Sequence, residues 1–476
     1  MVVIEYYTSS FSYWDKIALR HIRSGACGYG SPGTVPLWCR IGRRGKESVL
    51  RKKIWIALAT AVVVAVATVT VAVWPPATRL VTDAWNGDRL REERQPITDP
   101  LATDHWGKAR VTDKGVTIWD PINAQRGFTL YTSGEGSVAR LVTMTGATVH
   151  EWTVPYSKVW KMKIAAVKEP QADNLVFMRD ARLLPNGDLI AVFEAAGHMP
   201  DGYGMAKVDK NSTPLWSYLQ RAHGTFDMAP DGRVFVLVHD IRQDNEPESV
   251  IEAPFLEDFL AVLGADGQEI EKISLVGALE RSRFASLLGK APPGVADPLG
   301  ATSVQYIGGD TANGVPESAG ERVLLSFGGL GAVAVLDIPG KQIIWAARGE
   351  WDGQHEARLL PGGDLMVADS PDDKDSRAQQ IDMSTSTVVW SYGGGTDQPF
   401  ASTARLSARR LPNGNTLLTE SDAGRLIEVD EGGTVVWEYT NPPRAGQADA
   451  YIPVIASGQR IEARMLDQSF RGFTRP

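Results

Sequence analysis

Of 476 residues only two are cysteine, Cys27 and Cys39, and both precede residue 54. The rest of the chain therefore holds no disulfide and is stabilised by packing alone. Histidine is scarce as well, with seven residues, so imidazole chemistry has few places to sit. Neither a Walker-type phosphate loop nor a dinucleotide fingerprint occurs, and no cofactor is expected. Positive charge is short too: the first 53 residues take ten of the 49 basic and three of the 57 acidic residues, leaving the remainder with a net charge near −15. That balance argues against nucleic acid or an anionic lipid surface as a partner of the larger part.

Long hydrophobic runs are missing with one exception. Residues 54–74, IWIALATAVVVAVATVTVAVW, form 21 positions without a charge or a proline. At 1.5 Å per residue a helix of that length matches a hydrocarbon core of about 30 Å. Trp55 and Trp74 sit where indoles favour the headgroup layer, and Arg51, Lys52 and Lys53 precede the run. The positive-inside rule then puts residues 1–53 in the cytoplasm and everything after Pro75 and Pro76 outside it, periplasmic or at the cell surface. A cleaved signal peptide is the competitor, but the run exceeds the usual h-region and no small-x-small site precedes the prolines, so an uncleaved single-pass anchor is expected. Residues 1–53 lack periodicity and read as a disordered tail or as sequence upstream of a later start; 75–114 read as a linker.

What is abundant is repetition. Across 115–445 one hairpin signature joins two strands through Pro, then Asn, Asp or Gly, then Gly: RLLPNGDLIAVFE at 182–194, DMAPDGRVFVLVH at 227–239, RLLPGGDLMVADS at 358–370 and RLPNGNTLLTES at 410–421. Asn-Gly and Asp-Gly supply the positive φ angles of tight turns. A second, companion hairpin occurs six times and ends in Trp152, Trp216, Trp345, Trp390 and Trp437, with LAVLGADGQEIEKIS at 260–274 lacking the tryptophan. These indoles read as packing between blades rather than as ligand stackers. Alternating hairpins of two kinds build four-stranded blades, and a closed ring of blades removes exposed sheet edges. The expected fold is all-β, a six-bladed β-propeller of four-stranded blades preceded by one transmembrane helix, with five or seven blades still open. Residues 275–322 break the repeat with proline and glycine and read as a helix followed by loops across one face. Residues 446–476 read as a C-terminal segment.

Propeller ligands bind on the axis, so chemistry is sought in loops next to blade starts. Two histidines stand there: His223 in RAHGTFDMAPDG and His355 in GQHEARLLPGGD. They are expected to share one axial cavity although 132 positions separate them. His239 reads as a strand residue, and His198 as a rim residue without a nameable partner. The acidic run Asp369 to Asp375 lacks the alternating ligands of a calcium loop and reads as solvated; no metal is expected. Asn211, in Asn-Ser-Thr, is a glycosylation acceptor only in a eukaryotic host.

GQHEARLLPGGDLMVADS, SRAQQIDMSTSTVVWSYGG and RLPNGNTLLTESDAGRLIEVDEGGTVVWEYTNP resemble the C-terminal half of the bacterial arylsulfotransferase family. AKVDKNSTPLWSY, HGTFDMAPDG and EAPFLEDFLAVL extend the resemblance over nearly all of 115–445. It implies a six-bladed propeller that moves a sulfuryl group from a small aromatic sulfate to a phenol without a nucleotide sulfate donor. It further implies that His355 is the nucleophile, transiently sulfated in a ping-pong reaction, and that His223 binds sulfuryl oxygens or handles the phenol proton. The sequence departs from the family pattern at four positions. Gly224 stands where a second histidine often follows His223. DPLGATSVQ puts Gly300 and Thr302 where Asp-Pro-Leu-His-x-Asn-Ser has His and Asn, and SFGGLGA puts Gly328 in place of an arginine. Losing an oxyanion-binding His or Arg costs on the order of 3–4 kcal/mol of transition-state stabilisation. Two readings follow: an active arylsulfotransferase, or a degenerate propeller that binds an aromatic or anionic ligand.

Overall fold

The computed structural model describes residues 92–472, apart from 245–249, 293–294, 309–319, 352, 371–375 and 396–397. The expected spanning segment 54–74 and the tail before it lie outside the described residues, among which no helix is long and apolar enough to cross a membrane.

The Pro-x-Gly turns build the inner hairpins. At the first, Leu184 N–H donates to Asp188 O (2.8 Å), Gly187 N–H donates to Leu184 O (3.0 Å), and Gly187 takes φ +91°. Asn186 does not share the positive φ; its Oδ1 accepts from Asp188 N–H at 3.1 Å. The turn is thus a three-residue loop closed by a glycine bulge, rather than a two-residue turn with two positive angles. The same bond pair recurs at 229–233, 360–364 and 411–415.

Hairpins combine into six antiparallel blades. Blade 2 is Val176–Leu183, Leu189–Ala195, Gly202–Val208 and Pro214–Tyr218; blade 3 is Ala222–Met228, Val234–Arg242, Phe255–Leu263 and Glu269–Ser274. Blade 4 is Ala301–Ile307, Arg322–Phe327, Ala332–Asp337 and Gln342–Arg348; blade 5 is Glu356–Leu359, Leu365–Asp369, Arg377–Asp382 and Thr387–Tyr392. Blade 6 is Ser407–Arg410, Thr416–Glu420, Arg425–Val429 and Val435–Thr440, with Gly115–Trp119 added as a fifth, outer strand. Blade 1 takes three strands from Phe128–Ser133, Val138–Thr143 and Thr148–Thr153, and its innermost strand from Ile455–Ile461. The propeller therefore does not stop at 445: the segment read as a C-terminal extension closes the ring. Tyr131 and Tyr439 hydroxyls meet at 3.0 Å across that joint, and Asn441 Nδ2 donates to Ser133 Oγ at 2.7 Å.

The core lies between blades. Six buried apolar clusters occupy the six joints, one for each neighbouring pair. Each large side chain so buried contributes about 1.5–3 kcal/mol. The repeated tryptophans belong to these joints: Trp152 Nε1 donates to Gly187 O (3.1 Å), Trp216 to Ala265 O (3.1 Å), Trp390 to Glu431 O (3.0 Å) and Trp437 to Met144 O (2.9 Å). Each of these acceptors is a turn carbonyl of the next blade. Toward the axis, side chains of one inner strand satisfy the edge N–H groups of its neighbour, as Asp227 Oδ2 does for Tyr306 (3.0 Å) and Gln305 Oε1 for Leu359 (2.7 Å). The irregular stretch after blade 3 opens with a helix, Leu275–Glu280, whose first turn is capped by Ser274 Oγ accepting from Gly277 N–H at 2.9 Å.

The segment read as a linker is folded from residue 92. Glu93–Arg94 pairs with His198–Met199, and Trp106–Lys108 with Tyr451–Pro453.

Candidate functional site

At the end of the ring where inner strands begin, a cavity of about 520 Å³ opens on the axis. That size suits a small organic ligand. His223 and His355 both line it, from blades 3 and 5.

His355 ends the loop before the inner strand of blade 5, and its backbone N–H donates to Ala368 O at 2.9 Å. Gln354, fully buried beside it, donates from its amide to Phe327 O (3.0 Å) and Ala332 O (2.9 Å) of blade 4. The Gln-His pair is thereby pinned across two blades. The Thr403 backbone hydrogen-bonds the His355 ring, while Nε2 has no partner. Burial first, then Arg179 and Arg405, push its pKa down to about 4. At neutral pH the ring is uncharged, and the unpartnered Nε2 keeps its lone pair.

Two cations line the same cavity. Arg179 lies on the inner strand of blade 2; its Nη1 donates to Ala456 O (2.9 Å) and its Nε is 3.8 Å from Glu194 Oε2. Arg405 precedes blade 6, is 9% exposed, and pairs with Asp104 while lying over the Phe177 ring, 5.0 Å from its centroid. Its backbone is left-handed, φ 57°. A non-glycine residue there costs roughly 1–3 kcal/mol and persists only where its surroundings hold it.

His223 is the second residue of the inner strand of blade 3. Its ring stacks on His239, with centroids 3.5 Å apart and planes within 12°. Both Nε2 atoms approach Asp258 Oδ1, His239 at 2.9 Å and His223 at 3.2 Å. Burial, then His239, lowers the pKa of His223. Burial opposes charge on His239 as well, but Asp258 and Asp297 outweigh it and hold its pKa well above the ordinary value.

The sequence reading set His239 aside as a strand residue, and the structure puts it in the cavity wall. The signal was available in the hairpin register. Met228 pairs with Val234, and counting outward from that turn opposes 223 to 239; a bulge between His223 and Phe226 shifts the partner to Leu237 without changing the face. Arg405 was also missed, although it precedes a blade as His355 does. His198, left without a partner by sequence, lines the cavity with Nδ1 2.5 Å from Tyr203 Oη and Nε2 3.3 Å from Glu92.

The three glycines are backbone devices. Gly224 (φ +64°) donates its N–H to Glu194 Oε1 at 2.8 Å, and a Cβ there would stand 2.7 Å from Thr302 O. Gly300 (φ +55°) donates its N–H to Asp297 Oδ1 at 2.8 Å, and a Cβ would stand 2.7 Å from Gly329 N. Gly328 has no such φ, but its Cβ would meet Gln354 O at 3.0 Å. Thr302 lines the cavity.

Two further sequence features lie apart from this geometry. Asp369 is buried and paired with Arg377 at 2.9 Å, while residues 371–375 of the acidic run lie outside the described residues. Asn211 sits in a turn whose N–H groups are held by Asp209 Oδ1.

A family model described as Arylsulfotransferase (ASST) matches residues 180–442, more than half of the chain. No curated protein matches it in sequence. Among solved structures, the chain is similar to a protein of unknown function from Bacteroides caccae, at 12% identity and TM-score 0.43, covering 69% of this chain and 99% of that one. It is also similar to a streptogramin B lyase, at 13% identity and TM-score 0.37, covering 74% and 91%. Neither likeness bears on the chemistry of the cavity.

Proposed function

The chain belongs to the arylsulfotransferase family, and from that premise we propose that its axial cavity transfers a sulfuryl group from an aryl sulfate to a phenolic acceptor. The observation that carries the proposal is the state of His355: a half-buried, uncharged imidazole whose buried Nε2 is free, flanked by Arg179 and Arg405. Nε2 attacks the sulfur, the sulfur–oxygen bond to the aryl group breaks, and the aryloxide leaves with the electron pair and takes up a proton. The acceptor phenol then attacks the sulfated imidazole, losing its proton to a base as the nitrogen–sulfur bond breaks and Nε2 regains its lone pair. His223, which lines the same cavity, is the base at hand. Charge accumulates on the sulfuryl oxygens and the leaving oxygen, and the two arginines supply the stabilisation that Gly300 and Gly328 do not. The reaction is placed outside the cytoplasm, with residues 54–74 as the anchor, on the strength of the apolar run and the basic residues before it.

A second reading, a binding propeller without turnover, is favoured by the glycines at 224 and 300, whose conformation excludes the family's side chains. The deciding experiment is incubation with a chromogenic aryl sulfate. Donor phenol released only when an acceptor phenol is present, and abolished by His355→Ala, supports transfer. No release with any donor leaves the binding reading.

A further inference from the structure

Three buried side chains of blade 3 converge beside the cavity without making the hydrogen bonds that their burial demands. His223 stands on the first strand and His239 on the second; Asp258, on the third, is the cross-strand partner of His239. The two histidines are 5% exposed and Asp258 is 0% exposed. Asp258 Oδ1 lies within ion-pair distance of both Nε2 atoms, yet neither approach is aligned as a hydrogen bond, so none of the three atoms makes one. Leaving a buried polar atom unsatisfied costs about 1–3 kcal/mol, more for a charged one.

We propose that His223, His239 and Asp258 bind a divalent transition-metal ion, zinc by preference, in the wall of the axial cavity. Two imidazoles and one carboxylate form a three-ligand set that leaves a coordination position open for exchange. Ligand atoms about 2.0–2.1 Å from a tetrahedral ion stand about 3.3 Å from one another. The two separations from Asp258 Oδ1, 2.9 and 3.2 Å, are near that value, and the three donors lie within 4.8 Å of one another. A proton satisfies one pair of these atoms; a metal ion satisfies all three.

The carboxylates are oriented for the task. Asp258 Oδ2 accepts from Ala301 N–H at 3.1 Å, which turns Oδ1 toward the imidazoles. Asp297 repeats the arrangement: Oδ1 is held by Gly300 N–H at 2.8 Å, and Oδ2 stands 3.6 Å from His239 Nε2, placed to become a fourth ligand or to hold a bound water. One adjustment is required. The rings are stacked nearly parallel, so their lone pairs point side by side, and coordination fans them apart through χ2, a soft torsion. His223, His239 and Asp297 line the cavity that also holds His355, so the open position faces the ligand space. An oxygen of an anionic or phenolic ligand completes the shell there.

The site is tested apart from sulfuryl transfer, although an ion on His223 Nε2 would take that histidine out of the role of base. Full-length protein, solubilised and freed of metal with a chelator, is titrated with Co²⁺ and then with Zn²⁺. One Co²⁺ per chain with visible ligand-field bands is expected, displaced by Zn²⁺, together with a melting temperature that rises with Zn²⁺ concentration. Asp258→Asn and His239→Gln each weaken Co²⁺ binding by about 100-fold or more, and His355→Ala leaves it unchanged. Absence of both the bands and the Zn²⁺-dependent rise in the unaltered protein overturns the site, whether or not the variants fold. Binding that survives Asp258→Asn, or that is lost in His355→Ala, overturns the choice of ligands. No readout here uses an aryl sulfate, so a failure leaves the transfer proposal untouched.

Discussion

Asp104 holds Arg405. The carboxylate, on the segment that leads into the propeller, pairs with the guanidinium, and Arg405 Nη1 also donates to Asp104 O at 3.3 Å. The two are 301 positions apart, and both line the axial cavity. An arginine at left-handed φ has no intrinsic preference for its conformation, so its placement depends on this contact. Asp104 is 62% exposed, and solvent weakens the pair. Arg405→Ala is expected to lower aryl-sulfate turnover by about two powers of ten or more, and Asp104→Asn by only about three- to tenfold. Asp104→Glu should recover most of the latter loss. Equal losses in Asp104→Asn and Asp104→Glu, with unchanged melting temperature, would show that Asp104 does not act through Arg405.

This pairing also marks where sequence reasoning ends. The Pro-x-Gly turns and the repeated tryptophans are local signals, and they report the blades faithfully because a hairpin is built from neighbouring residues. The innermost strand of blade 1 carries no such signal: Ile455–Ile461 pairs with Phe128–Ser133, and its partner is specified by closure of the ring rather than by a turn. The inner hairpin of blade 4 is hidden for a related reason, since Ala301–Ile307 and Arg322–Phe327 are joined by a long connection without the turn motif. In the site, His223 and His355 stand beside turn signatures and could be singled out. Arg179 lies within a strand, where nothing in the sequence separates a residue facing the axis from one paired in a blade.

The depressed pKa of His355 gives a pH signature. Its pKa in the folded chain, about 4, lies below the ordinary 6.5, with burial the main cause and Arg179 and Arg405 next. If Nε2 is the nucleophile, single-turnover sulfuryl uptake stays flat as pH falls from 7 to about 5 and drops only through about 4. An accessible histidine would lose activity around 6.5 instead. Stability moves in the same direction. Below 6.5 the unfolded chain takes up the proton before the folded one, so folding stability is fully present above 6.5, declines as pH falls toward about 4, and levels off below it. Urea midpoints of the unaltered protein and of His355→Gln, compared at pH 7.5 and 4.5, measure this: the unaltered protein should lose more. Equal losses would mean that the folded chain does not hold the His355 ring uncharged.

The glycine at 300 sets the last expectation. Were it a side chain lost from an otherwise intact site, restoring a histidine would restore a gripping group and raise turnover. The backbone argues otherwise. Gly300 is left-handed at φ +55°, a Cβ would stand 2.7 Å from Gly329 N, and the obstructing atom is main chain, which yields less readily than a side-chain tip. Its N–H meanwhile fixes Asp297 beside His239. Gly300→His must therefore distort the loop, at roughly 1–3 kcal/mol for the φ alone, and release Asp297 from its position. Gly328→Arg is milder, since that residue is not left-handed and its Cβ meets Gln354 O at 3.0 Å. The expected outcome is a lower melting temperature for Gly300→His with no gain in aryl-sulfate turnover, a smaller thermal loss for Gly328→Arg, and no rescue in the double variant. A double variant that melts as the unaltered protein does and turns over aryl sulfate faster would show that the loop accepts the family's side chains, and would make the cations at 179 and 405 supplements to that machinery rather than replacements for it.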